Sequence, residues 1–217
     1  MLREGTYPRR HEAFDAAAAQ AFRAALGVAP EAADTLTVSL FGYENAALPG
    51  LLDAWATNST PIAVLMPEGR LLPATCAWFG APGAAAGHTL KRGQLTLHVL
   101  PFLPQADYDP LLWLCDLNFV RGEDSLVRAA WAARPFVWHI YPQDDCAHHY
   151  KLSAFLARLQ PPEDWAGFMR VWNGMDAGPL PRPDPTGWAP AAAAFAAALA
   201  AQDDLVTQLL RFVAKKR

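Results

Sequence analysis

The stretch Leu117–Gln143, LNFVRGEDSLVRAAWAARPFVWHIYPQ, constrains the fold more than any other part of the chain. A short apolar run (Leu117, Phe119, Val120) leads into Arg121-Gly122, and an amphipathic helix pattern starts at once. Glu123, Asp124 and Ser125 form the first turn of that pattern, which ends near Arg134-Pro135. A second apolar run, Phe136–Ile140, then leads into Tyr141-Pro142-Gln143. This is a β-α-β unit, whose parallel strands join by a right-handed crossover. It brings an arginine, a glycine and a helix N-terminus together at the carboxyl end of a strand. Open α/β sheets bind their ligands there, and the free N–H groups of a helix start favour phosphate.

The same alternation runs through the rest of the chain. Thr35–Phe41 (TLTVSLF) is apolar on both faces, as a buried parallel strand requires. Pro61–Met66 and Gln94–Leu100 read as two more strands. Helical spacing is present over His11–Leu26, with Gly27 as C-cap, and over Leu48–Thr57, Tyr108–Cys115, Ala147–Gln160 and Glu163–Asn173. Glu68–Gly93 is rich in Gly, Pro and Ala and reads as a long connection with one short helix. Pro179–Pro190 reads as extended, and Trp188–Arg217 as helix, its last part Asp203–Lys216. Leu2–Tyr7 is short and polar, like a linker. Five strands alternating with helices give an α/β fold with a Rossmann-like, doubly wound parallel sheet. On such a sheet the segments after the strands share one edge: Phe41/Tyr43, Phe102/Gln105, Arg121–Ser125 and Tyr141/Gln143.

Composition narrows the partners. The 217 residues are 53% hydrophobic and 18% charged, a folded globular balance, and the net charge is −3. No basic excess exists to neutralise phosphates, which argues against nucleic acid or an anionic membrane as partner. No apolar run is long enough to span a bilayer, and residues 1–10 lack the apolar core of a signal peptide. Three cysteines without CxxC spacing fit a reducing cytoplasm better than a disulfide scaffold.

Arg121 could grip a diphosphate with its fork of N–H donors, or could be a surface arginine paired with Glu123 or Asp124. Glu123, Asp124 and Ser125 serve equally as helix-capping residues or as contacts to sugar hydroxyls and phosphate. Phe41, Tyr43 and Phe102 could wall a base, with the Tyr43 hydroxyl on a phosphate; the alternative is strand-end aromatics of the core. Gln105 could read a base edge, or be an exposed loop glutamine. Cys146, His148 and His149 near Asp144 and Asp145 match no usual zinc spacing, so no metal is expected and an aspartate there is expected to cap the next helix. His139 reads as a satisfied core or rim histidine. There is no GxGxxG, P-loop or GxSxG motif. A nucleotide-sugar site built from arginine, aromatics and a helix start fits what remains, and a non-catalytic nucleotide- or protein-binding module is the rival.

Over Ser39–Asn45 (SLFGYEN), Leu97–Gln143 and His148–Leu156 (HHYKLSAFL), the sequence resembles the EarP-type protein-arginine rhamnosyltransferases. Enzymes of that family transfer L-rhamnose from dTDP-β-L-rhamnose to an arginine of translation elongation factor P. The resemblance implies one half of a two-domain GT-B glycosyltransferase, cytoplasmic, inverting, and free of metal or other cofactor. It implies that Phe102 and Gln105 hold thymine with Tyr108 close by, and that Phe41 lies beside the pocket. Tyr43, Arg121 and Ser125 would hold the diphosphate and stabilise the leaving group, while Glu123 and Asp124 touch ribose or rhamnose. The glycine-bearing segment in which the family carries its base and acceptor-steering aspartates has no counterpart here. The expected division is therefore an interdomain remnant over residues 1–10, a donor domain over 11–200, and a helix over 201–217 that crosses back to the other domain. Elongation factor P would be met mainly by that other domain, and this chain alone would bind donor without transfer.

Overall fold

The computed structural model describes residues 11–215. The proposed remnant over residues 1–10 and the last two residues lie outside them.

The strands are β1 (Leu36–Leu40), β2 (Ile62–Pro67), β3 (Thr89–Arg92), β4 (Leu95–Leu100), β5 (Leu117–Arg121) and β6 (Phe136–His139). They form one sheet in the order β3-β4-β2-β1-β5-β6, every neighbouring pair parallel except β3 with β4. The parallel strands therefore run outward from β1 in one direction and, after β4, return to the other side of β1. That reversal is the topological switch point of a doubly wound sheet, and it lies between β1 and β5.

The helices are α1 (Ala16–Ala25), α2 (Leu48–Ala56), α3 (Leu72–Trp78), α4 (Gln105–Leu114), α5 (Gly122–Trp131), α6 (Ala147–Leu159), α7 (Glu163–Trp172), α8 (Pro185–Ala200) and α9 (Leu205–Ala214). Both sheet faces are covered. Val64 and Met66 point into a large cluster with Leu51, Phe119, Trp165, Phe168 and Trp172, whereas Leu65 between them packs with Val28, Leu111 and Cys115. The large cluster is built on aromatic edges: Phe119 meets Trp172 at 5.0 Å and Trp55 at 5.8 Å, and Trp165 stacks on Trp188 at 5.4 Å. The Trp165 indole N–H is satisfied by the Phe136 carbonyl at 2.7 Å. Across the switch point, Ser39 donates to the Asn118 side-chain oxygen at 2.6 Å, and Asn118 donates to the Leu112 carbonyl at 3.0 Å.

Several boundaries differ from the sequence-based expectation. The stretch 68–93 contains β3 as well as α3, because Gly93 (φ +58) turns Arg92 back onto Leu95 in a two-residue hairpin. No side chain fits at Gly93, whose Cβ would lie 2.1 Å from the Ala56 carbonyl oxygen. α1 starts at Ala16 instead of His11, because the Asp15 carboxylate takes the Ala18 N–H at 2.8 Å and caps the helix there. α4 starts at Gln105, so Gln105 sits in a first turn, not a loop. α8 starts at Pro185, the favoured first helical position, and Asp184 caps it. α5 ends at Trp131, before Ala133 turns into the left-handed region.

Candidate functional site

Strand register builds the site. β1 pairs with β5 so that Leu40 lies beside Phe119, and the Phe41 N–H continues the ladder to the Phe119 carbonyl at 3.2 Å. Two residues further on, Gly42 comes level with Arg121, and on the other side Arg121 is level with His139 of β6. Arg121 is thus held at the carboxyl edge of the switch point, between two neighbouring strand ends.

Its guanidinium lies 4.3 Å from the centroid of the Phe41 ring and 5.1 Å from that of Tyr43, with a long contact of 3.4 Å to the Gly42 carbonyl. Among the described residues no carboxylate forms an ion pair with it. Asp124 instead pairs with Arg128 at 2.8 Å, and Arg128 also reaches Asp109 at 2.9 Å. Glu123 is exposed on the first turn of α5. The arginine of the β5–α5 junction is therefore a half-buried cation stacked on aromatic faces, without the counter-charge that a surface ion pair would supply.

Gly122 directly follows, with φ +67, which glycine adopts without strain. The N-cap residue of α5, Arg121, makes no side-chain cap bond, no other side-chain cap is present among the described residues, and the Tyr43 hydroxyl lies 3.7 Å from where a Gly122 Cβ would stand. Uncapped amide hydrogens, a tyrosine hydroxyl and a guanidinium converge there, which is an anion-binding arrangement. The Gly122 carbonyl accepts from the Trp138 indole at 2.9 Å, fixing the junction to β6.

On the α4 side, the Phe41 ring meets Tyr108 edge-on at 6.0 Å. The Tyr108 hydroxyl is buried beside Ser125 without a well-formed hydrogen bond. Burial pushes its phenol well above the usual range, opposed by Ser125, Arg128 and Arg121. The structure thus gathers Phe41, Tyr43, Tyr108, Arg121 and Ser125. Phe102 (72% exposed) and Gln105 stand apart at the end of β4 and the start of α4, on the same edge of the sheet and open to solvent.

Two further residues belong to the rim. Arg70, in the segment between β2 and α3, lies 5.9 Å from the Tyr43 ring and 3.8 Å from Glu44. His139 accepts the Tyr43 N–H on Nδ1 at 3.2 Å, so the sequence reading of a satisfied histidine holds. Burial lowers its pKa to about 4, Arg121 adding to the shift and Glu44 opposing it. Before α6, Asp145 accepts from the Ala147 N–H at 3.0 Å, but the N-cap of α6 is Cys146, which makes no side-chain cap bond, so the helix does not start on an aspartate as expected.

A separate cleft of about 1550 Å³ lies at the opposite edge, lined by Thr35, Leu36, Ile62, Asp116, α2 and residues 178–186. None of the gathered residues lines it, and it faces the amino ends of the strands, where doubly wound sheets do not bind ligands.

A family model described as Elongation-Factor P (EF-P) rhamnosyltransferase EarP matches residues 1–214. The chain is 44% identical to a protein-arginine rhamnosyltransferase of Pseudomonas putida over 226 aligned positions, covering 98% of this chain and 59% of that protein. Its identity to the Pseudomonas aeruginosa protein of the same name is 45%, over 82% of this chain and 48% of that one. A solved structure, from work on the structural basis for EarP-mediated arginine glycosylation of translation elongation factor EF-P, superposes with a TM-score of 0.86 at 39% identity. It covers all of this chain and 73% of the matched one.

Proposed function

The chain belongs to the EarP family, and from that membership we propose that it is the donor-binding part of a protein-arginine rhamnosyltransferase, one half of a GT-B architecture. The donor is dTDP-β-L-rhamnose, and the acceptor is an arginine of elongation factor P, met in the cytoplasm. Among the described residues no helix is long and apolar enough to cross a membrane.

One observation carries the reading: Arg121, stacked on Phe41 and paired with no carboxylate among the described residues, faces the uncapped start of α5 and the Tyr43 hydroxyl. A diphosphate set there receives charge from the guanidinium and hydrogen bonds from the backbone, Tyr43 and Ser125. Phe102, Gln105 and Tyr108 take the thymine side, and Phe41 walls the pocket. Glu123 and Asp124 face the sugar, since carboxylates beside a diphosphate would repel it; Asp124 does so while paired to Arg128. No metal is needed where an arginine and a helix start supply the positive field.

In the transfer, the acceptor guanidinium attacks the anomeric carbon from the face opposite the dTDP, inverting the configuration. Negative charge builds on the departing diphosphate, and Arg121 and Tyr43 stabilise it. A protonated guanidinium is a poor nucleophile, so a carboxylate must assist it. We assign that carboxylate to the other half of the GT-B architecture, and to this chain donor binding alone. Calorimetric titration with dTDP, UDP and GDP tests the reading: dTDP binding with preference over the other two supports it, and no binding of dTDP overturns it.

A further inference from the structure

His139 has no part in the donor contacts above, yet it is buried at the rim, 3% exposed, beside Arg121 in the β5–β6 register. Its Nδ1 accepts the Tyr43 N–H at 3.2 Å. An imidazole nitrogen accepts only when it carries no proton, so the ring is neutral with its hydrogen on Nε2. The same Nδ1 lies 3.2 Å from the position of a Gly42 Cβ, while Leu71 Cδ1 lies 2.8 Å from it, so the backbone at Gly42 is held close between the two side chains. The ring also meets Tyr43 edge-on at 5.3 Å and Trp172 at 5.6 Å, tying the turn after β1 to the core.

We propose that His139 is a positioning residue of the anion site, its bare Nδ1 fixing the Gly42–Tyr43 turn so that the Tyr43 hydroxyl stays over the start of α5. The inference rests on the donor-site reading and deepens it. The chemistry explains the residue type. A carboxylate could also accept the Tyr43 N–H, but beside Arg121 it would pair with the guanidinium and cancel the charge that an anion needs. A lysine or arginine could not accept at all. Neutral imidazole accepts without neutralising, and burial with the nearby Arg121 keeps it unprotonated.

The test is calorimetric titration of the 217-residue chain and its variants with dTDP, with melting temperature followed in parallel. His139→Asn keeps an acceptor near the Nδ1 position, and its dissociation constant should stay within about threefold of the wild type. His139→Asp keeps an acceptor but adds the charge, and should weaken binding about tenfold or more. His139→Leu should weaken it similarly, and adding Tyr43→Phe should cost little beyond that, since the two residues act through one hydroxyl. A purely structural histidine would instead give losses that follow melting temperature, with Asn and Asp alike. Full binding by His139→Leu, or equal loss in the Asn and Leu variants, overturns the inference while leaving the donor reading intact. No dTDP binding by the wild type overturns the donor reading, and this inference with it. If the variants do not fold, ¹⁵N-histidine spectra of the wild type decide: a protonated Nδ1 at pH 7 overturns the proposal, and an Nε2–H ring perturbed by dTDP supports it.

Discussion

Arg121 closes β5 with its guanidinium 4.3 Å from the ring centroid of Phe41, the residue that follows β1. The aromatic face holds the cation in place without supplying a counter-charge. A carboxylate in the same position would hold it equally well and leave nothing for a ligand.

That arrangement makes Arg121 the first residue to test. At about 100 times its dissociation constant, dTDP should stabilise the folded chain by roughly 2.7 kcal/mol. For a chain of this size the melting temperature should rise by about 5–10 °C. Arg121→Ala should abolish the rise, whereas Arg158→Ala, on the exposed side of α6, should leave it unchanged. A full shift in Arg121→Ala would remove the guanidinium from the site.

Phe102 is 72% exposed, so its ring contributes little to the ligand-free fold. Base–aromatic stacking contributes roughly 1–3 kcal/mol per base. Phe102→Ala should therefore leave the melting temperature of the free protein unchanged and weaken dTDP about tenfold or more, while affinity for inorganic pyrophosphate stays the same. An equal loss for both ligands would place Phe102 away from the base.

The buried His139 ties stability to pH. Its folded pKa of about 4 lies below the ordinary histidine value of 6.5, so between those limits the unfolded chain binds the proton and the folded chain does not. Stability must fall as pH drops through that window and level off below it, by up to about 3 kcal/mol from this group. Urea midpoints from pH 7.5 to 4 should decline more steeply in the wild type than in His139→Asn. Parallel profiles would mean that the ring is free to protonate in the fold.

Gly93 and Gly27 both have positive φ, but only Gly93 has backbone in the way of a side chain. Gly27→Ala meets nothing within 4 Å and should cost about 1 kcal/mol, from backbone strain alone. Gly93→Ala would press a methyl into the Ala56 carbonyl and should cost roughly 3 kcal/mol or more. Melting curves of the two variants check the difference, and equal losses would mean that the β3–β4 hairpin can move away from α2.

The parallel strands are legible in the sequence because each is apolar on both faces, as TLTVSLF and PIAVLM show. β3 is not, because TLKR is an edge strand whose side chains, apart from half-buried Leu90, are exposed. At the site, Arg121, Gly122 and the first turn of α5 can be read directly, since one short stretch encodes strand end and helix start together. Arg70 cannot: it falls in a Gly/Pro/Ala-rich stretch, and only the fold brings it over Tyr43. The role of His139 is hidden for a similar reason. Local sequence marks it as a strand-end histidine, but its partner is a backbone amide 96 residues away. The pairing of Asp124 with Arg128 is the reverse case, an i,i+4 spacing visible in the letters that resolves which charge stays with the helix and which does not.

The central position of β1 also dictates an order of assembly. Its bonds to the β5 side, Thr37 with Asp116 and Ser39 with Asn118, each span 79 residues, and Tyr43 waits longer still for His139. Such distant closures are the slow part of folding. On the ribosome, β1, β2 and β4 can pair while the far flank of β1 is still unsynthesised, a bare strand edge open to chaperones or to other nascent chains. Any competence to hold a nucleotide therefore arrives late and in one step, when β5 and β6 close that flank.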